Sequence, residues 1–166
     1  NTYACFTSEM NTAIKRRLAI EAQMHVALEK NEFELYYQPK CDAKTLKIIG
    51  AEALLRWNNS VLGKVMPDEF IPLAEQTGLI IPIGKFVIEQ ALAFLTQWQA
   101  SSQQNYSMAI NLSPSQFRDS ELLSFIASTL EKTGVSAKNV ELEITEGVLM
   151  SVQTNGVHFD PEIQPP

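Results

Sequence analysis

Apolar and polar positions between Phe33 and Thr145 follow two rhythms, alternation in short runs and a three-to-four residue repeat in longer ones. Thr7 to Lys30 reads as a helix, with Thr7 or Ser8 as N-cap, Ile14, Leu18, Met24 and Leu28 at approximate helical spacing, and Asn31 as its end. Phe33 to Gln38 reads as a first strand that Pro39 stops, because proline cannot donate to a ladder. Asp42 to Thr45 turns the chain into a second strand, Ile48 to Trp57, and Asn58-Asn59-Ser60 with Gly63 then form a loop. Pro67-Asp68 opens a short helix that closes at Gly78. A longer helix from about Ile83 to Ala100 buries Phe86, Val87, Ala91, Phe94, Leu95 and Trp98, a stripe that reads as core.

Tyr106 to Leu112 predicts a third strand ending at Asn111 and Leu112. Ser113, Pro114 and Gln116 then supply N-cap, N1 and N3 of the next helix, a capping box. Another helix, from about Glu121 to Lys132, shows Leu122, Leu123, Phe125, Ile126 and Leu130 and stops at Gly134. Val140 to Thr145 is the fourth strand. The order of strands and helices suits an α/β fold. From Ser151 onward the pattern dissolves into a turn-like, proline-bearing tail.

Two of these strands carry charge inside apolar runs. On the second, Gly50, Glu52, Leu54 and Arg56 share one face, and Ala51, Ala53, Leu55 and Trp57 share the other. A carboxylate in such a run is costly unless a cation, a donor set or water receives it. A half-exposed strand pairing its polar face with a neighbour answers that need as well as a functional site does. On the fourth strand Glu141, Glu143 and Thr145 face one way, Leu142 and Ile144 the other.

Composition narrows the function classes. The 166 residues are 45% hydrophobic and 19% charged, ordinary for a single globular domain. A net charge of -6, with no basic cluster larger than Lys15-Arg16-Arg17, argues against DNA or RNA as partner. It leaves room for a small dinucleotide, whose phosphates metal ions and one or two arginines can meet. Cys5 and Cys41 lack CxxC spacing and read as thiols of a reducing cytoplasm, the expected location. The most apolar run, Leu79 to Ile83, is too short to cross a bilayer, so no membrane segment is expected in this chain, although a parent protein could be membrane-anchored.

Five ordered motifs carry a family resemblance: Phe33-Glu34-Leu35-Tyr36-Tyr37-Gln38-Pro39, Glu52-Ala53-Leu54-Leu55-Arg56-Trp57, the run from Pro67 to Glu75, Asn111-Leu112-Ser113, and Glu141 to Glu146. Over Asn31 to Met150 the chain resembles the EAL-domain family, whose complete members are metal-dependent hydrolases that open cyclic di-GMP to linear pGpG. The resemblance implies a (β/α)8 TIM-like barrel with its active site at the C-terminal strand ends, of which this chain would hold about the first four strands and their helices. It implies Glu52, Asn111 and Glu143 as ligands of Mg²⁺ or Mn²⁺, with Glu52 and Glu143 catalytic, Gln38 and Arg56 contacting the dinucleotide, and Glu146 anchoring a loop. An all-oxygen set of this kind suits hard divalent cations.

Residues 1–31 resemble the connector from an upstream GGDEF domain, and equally an ordinary helix packed on the barrel end. Residues 32–150 would be the N-terminal half of the domain and 151–166 an irregular tail. Asn58-Asn59-Ser60 departs from the family's His-Pro pair, and Gly147 from its serine. The family's paired-aspartate loop, lysine and later glutamate are not found. Three readings follow: a truncated phosphodiesterase inactive alone, a non-catalytic module binding cyclic di-GMP or a protein, or a half-barrel completed as a homodimer or against another body. Whether the chain is itself an enzyme stays open at this point.

Overall fold

The structure is a computed structural model that describes residues 8–144. Among these, five strands form one mixed sheet in the order β1-β2-β4-β5, with β3 paired on β2. The elements are α1 (Ser8–Ala27), β1 (Phe33–Cys41), β2 (Ile48–Asn59), β3 (Gly63–Val65), α2 (Pro67–Thr77), α3 (Ile80–Ser102), β4 (Ser107–Leu112), α4 (Pro114–Phe117), α5 (Leu122–Thr133) and β5 (Val140–Ile144), the last preceded by a 3-10 turn at Ala137–Asn139. β1 and β3 run antiparallel to β2, whereas β2, β4 and β5 are mutually parallel. Parallel neighbours need long crossovers, which α2 with α3 and α4 with α5 supply.

Alternation on β2 places Ala51, Ala53 and Trp57 in the core with Met108, Ile110 and Leu112 of β4 and Val87, Ala91 and Leu95 of α3. Phe86, Phe94 and Trp98 pack half-buried around that stripe, as their spacing predicts. α3 is long and apolar enough to cross a membrane by length and composition, yet eight of its residues are buried within the fold. α2 begins at Pro67 and ends where Gly78 takes the left-handed conformation at φ 78°, a geometry glycine adopts without strain.

Several expectations need correction. β1 does not stop at Gln38 but runs through Pro39 to Cys41. Among the described residues β1 is an edge strand, where a missing N–H costs no ladder bond if it points away from the partner. β2 runs on through Asn58 and Asn59, so the loop is shorter than its polar sequence suggests, and β3 makes a fifth strand where four were expected. In α1 Ile14 and Leu18 are 45% and 59% exposed; the buried residues are Ile20, Met24 and Ala27. In α5 Leu123 is exposed, while Leu122 and Ile126 are buried. Thr7 as N-cap, Thr145 and Glu146, and the tail from Ser151 lie outside the described residues.

α1 packs through Ile20, Met24 and Ala27 and also meets α2 through a half-exposed charged pair. Arg16 Nε and Nη2 donate to the two oxygens of Glu69 at 3.1 and 3.4 Å, while Glu69 also accepts from the Met66 N–H that opens α2. The Arg16 hydrogen bond holds the Glu69 carboxyl below its usual range.

Candidate functional site

The sheet face opposite the helices is built in rows, because paired residues on adjacent strands point the same way. One row runs Gln38, Glu52, Ala109, Glu141 across β1, β2, β4 and β5. The row toward one end pairs Lys40 with Gly50 and Gly50 with Ser107. Toward the other end Asn111 pairs with Glu143 on the parallel strands β4 and β5, and Tyr36 pairs with Leu54. Period two on each strand thus brings Gln38, Glu52, Asn111 and Glu143 to one face, as the sequence predicts. Glu146 lies outside the described residues.

The proposed ligand residues converge in part. Asn111 Nδ2 donates to Glu52 Oε1 at 2.6 Å, so these two side-chain ends meet, and Glu143 stands beside Asn111 in register. Three oxygen-bearing side chains on one exposed face, without Cys or His among them, fit a hard divalent cation. A rotation of the Asn111 amide presents its oxygen where its nitrogen now donates; the two orientations are near-isosteric. On this ground the residues present fit the metal that the family resemblance implies.

Arg56 lies one strand step beyond Leu54 on the same face. Its Nη1 donates to the Leu55 carbonyl at 2.8 Å, and its guanidinium sits 5.5 Å from the Tyr36 ring centroid. The Tyr36 ring and the Leu55 carbonyl therefore orient it. Arg56 and Asn111 both line a cleft of about 310 Å³ between the ends of β2 and β4 and the helices α2, α3 and α4. Its walls are largely apolar, with Pro67, Ile71, Ile83, Val87 and Pro114, while Glu75, Ser113 and Gln116 supply polar groups. Such a cleft can receive a flat, partly apolar group whose phosphate reaches Arg56.

The wall beside Asn111 is set by a glycine. A Cβ on Gly84 of α3 would lie 1.7 Å from Gln116 Nε2, so the buried Gln116 side chain occupies the space that Gly84 vacates. Gln116 Oε1 accepts from the Ser113 N–H at 3.0 Å, and Ser113 Oγ accepts from Gln116 N–H at 3.3 Å. This is the expected capping box, and it fixes the chain two residues after Asn111.

Sequence reasoning missed two groups. Glu32, 9% exposed, accepts from Trp57 Nε1 at 3.2 Å, Asn59 Nδ2 at 2.7 Å, Ser60 N–H at 3.2 Å and Ser60 Oγ at 2.8 Å. Burial pushes its pKa up, but the donors from Ser60, Trp57 and Asn59 outweigh that and bring it down to about 2. Asn59 also accepts from the Val61 and Leu62 N–H groups, so the segment that departs from the family's His-Pro pair is an anchor of the β2 end. The second group is Lys40, whose Nζ lies 2.5 Å from Glu141 and 3.5 Å from Glu143. Its position two residues after Gln38 would have placed it on the site face by period two.

Comparison with known proteins bears on the family and the fold. The family model described as EAL domain matches residues 21–159. The chain is 34% identical over 93% of its length to the oxygen sensor protein DosP of Escherichia coli, of which it spans 19%. It is 35% identical over 90% of its length to the bifunctional diguanylate cyclase/cyclic di-GMP phosphodiesterase MucR of Pseudomonas aeruginosa, spanning 22% of that protein. Among solved structures, the MucR phosphodiesterase in complex with c-di-GMP superposes with a TM-score of 0.74 at 32% identity, over 84% of this chain and 61% of that one. The EAL enzyme Bd1971 in its cGMP-bound form gives 0.75 at 34%, over 85% and 40%.

Proposed function

This chain belongs to the EAL-domain family, and from that premise we propose that it carries the cation-binding strands and part of the nucleotide cleft of a cyclic di-GMP phosphodiesterase. The observation that carries the reading is the meeting of Glu52 and Asn111 at 2.6 Å with Glu143 in register beside them. Glu52, Asn111 and Glu143 would hold Mg²⁺ or Mn²⁺. When bound, such an ion supplies Lewis acidity toward a phosphoryl oxygen and acidifies water.

The chain's own residues then divide the work. Arg56, oriented by Tyr36, receives a substrate phosphate as a charge-assisted donor. Gln38, paired with Glu52, stands on the same face and offers an amide to the dinucleotide. The apolar walls contributed by Ile71, Ile83 and Pro114 exclude water from one base. One oxygen set of this kind suits one ion, and two-ion phosphodiester chemistry needs more ligands. The 166-residue chain is therefore read as binding cyclic di-GMP without appreciable turnover.

The test uses Mn²⁺ and cyclic di-GMP separately. Mn²⁺ is expected to raise the melting temperature by mass action, and Glu143→Ala or Glu52→Gln is expected to remove that rise. Isothermal titration is expected to show cyclic di-GMP binding, with no linear product resolved by anion exchange. An Mn²⁺ response that survives both substitutions would remove Glu52 and Glu143 from the ion's ligands.

A further inference from the structure

Lys40 is placed unusually for a surface lysine. It belongs to β1, at one side of the sheet, yet its ammonium contacts two carboxylates on β5, which is separated from β1 by β2 and β4. The row beneath it explains the reach. Lys40 pairs with Gly50, which has no side chain, and Gly50 pairs with Ser107, whose side chain is small. The space is tight as well as low, since a Cβ on Gly50 would lie 2.4 Å from Ser107 Oγ. Nothing larger than a serine therefore stands in that row between Lys40 and the carboxylates of β5.

At the far end Lys40 is shared unequally. Glu141 Oε2 is at 2.5 Å and Glu143 Oε1 at 3.5 Å. Glu141 is held below the usual carboxylate range by Lys40 first and by a hydrogen bond from Ser107, and the Lys40 ammonium is raised, chiefly by Glu141. Each of the three side chains is between a third and a half exposed, where an isolated ion pair contributes little to stability. The arrangement thus does little for the fold. Its consequence falls on Glu143, whose carboxylate is already near one cation.

We propose that Lys40 is a built-in counter-cation of the site, competing with the divalent ion for Glu143 and withdrawing onto Glu141 when the ion enters. This rests on the reading of Glu52, Asn111 and Glu143 as the ion's ligands. Lys40 is here a positioning residue that sets the ion's affinity. Removing one positive charge a few ångströms from a divalent ion at a half-exposed site corresponds to about a tenfold change in affinity, in the direction of tighter binding.

Direct Mn²⁺ titration, followed by the electron paramagnetic resonance signal of the free ion, tests this on the whole 166-residue chain. Lys40→Met is expected to tighten Mn²⁺ about tenfold. Lys40→Arg, which keeps charge and reach, is expected to stay near wild type. Lys47→Met, which removes the same charge at the β1–β2 turn, is expected to change affinity less than about twofold, since exposed charges beyond a Debye length are screened. Unchanged or weaker binding in Lys40→Met, while Glu52→Gln still abolishes it, overturns the competition and leaves the ion site standing. Equal tightening by Lys40→Met and Lys47→Met reduces the effect to net charge and overturns the proposal. Mn²⁺ binding that ignores Glu52→Gln overturns both this proposal and the site reading beneath it.

Discussion

Replacing Glu32 with glutamine isolates the anchor at the end of β2. The carboxylate accepts four hydrogen bonds, from Trp57, from Asn59 and two from Ser60, and is 9% exposed. Desolvation opposes ionisation and the donors favour it, with a net fall from the ordinary 4.5 to about 2. At about 1.36 kcal/mol per pH unit that gap corresponds to about 3 kcal/mol. Because the folded pKa is depressed, the contribution is complete above about pH 4.5 and is lost as pH falls through about 2. Glu32→Gln is therefore expected to lower stability by about 2–3 kcal/mol at pH 7, or about 5–10 °C in melting temperature for a domain of this size. At pH 3 the same comparison should give less than half that loss. Urea unfolding followed by fluorescence, with buried Trp57 beside the carboxylate, measures both. A loss that is undiminished at pH 3, or below about 1 kcal/mol at pH 7, would refute the view that an ionised Glu32 holds this end of the strand.

Two further outcomes follow from geometry already described. Gly84→Ala forces a Cβ into the Gln116 side chain and is expected to cost about 1–3 kcal/mol, part of it recovered in the Gly84→Ala/Gln116→Ala double variant; scanning calorimetry of the four proteins decides. Arg56→Met keeps much of the side chain's packing but removes the phosphate donor, and titration calorimetry is expected to show cyclic di-GMP affinity falling about tenfold or more while Mn²⁺ affinity stays within about twofold.

What could be read from the sequence was local and periodic. Alternation on β2 separated Glu52 and Arg56 from Ala51, Ala53 and Trp57, and the fold keeps that division. The Ser113-Pro114-Gln116 signature fixed a helix start that the hydrogen bonds reproduce. The misses were all decided by distant partners. Asn59 looks like a turn residue until Glu32, 27 positions earlier, is seen to need its amide. Ile14 and Leu18 have helical spacing, yet the core meets α1 only from Ile20 onward, so the stripe extends past what it can pack on. Pro39 ends a central strand but not an edge strand, and only the sheet order tells which β1 is. Lys40 sat in the right register all along. Its role depends on Gly50 and Ser107 clearing a row across three strands, and strand order is not written in any one segment.

The two anchors act on different halves of the site, and this separates positioning from general stability. The Glu32 cluster grips Trp57, the residue after Arg56, and so holds the end of β2 that the proposed function assigns to the nucleotide. The wedge of Gln116 on Gly84 grips Ser113, two residues after Asn111, and so holds the β4 end that the proposed function assigns to the ion. Gln116→Ala should therefore weaken Mn²⁺ binding, about tenfold being the usual cost of losing a residue that orients a metal ligand, with a smaller effect on nucleotide affinity measured without metal. Glu32→Gln should do the reverse at a temperature where both variants are fully folded. If each variant weakened both ligands equally, the cleft would be responding to overall loosening. In that case the division of the site into a β2 end held by Glu32 and a β4 end held by Gln116 would have to be abandoned.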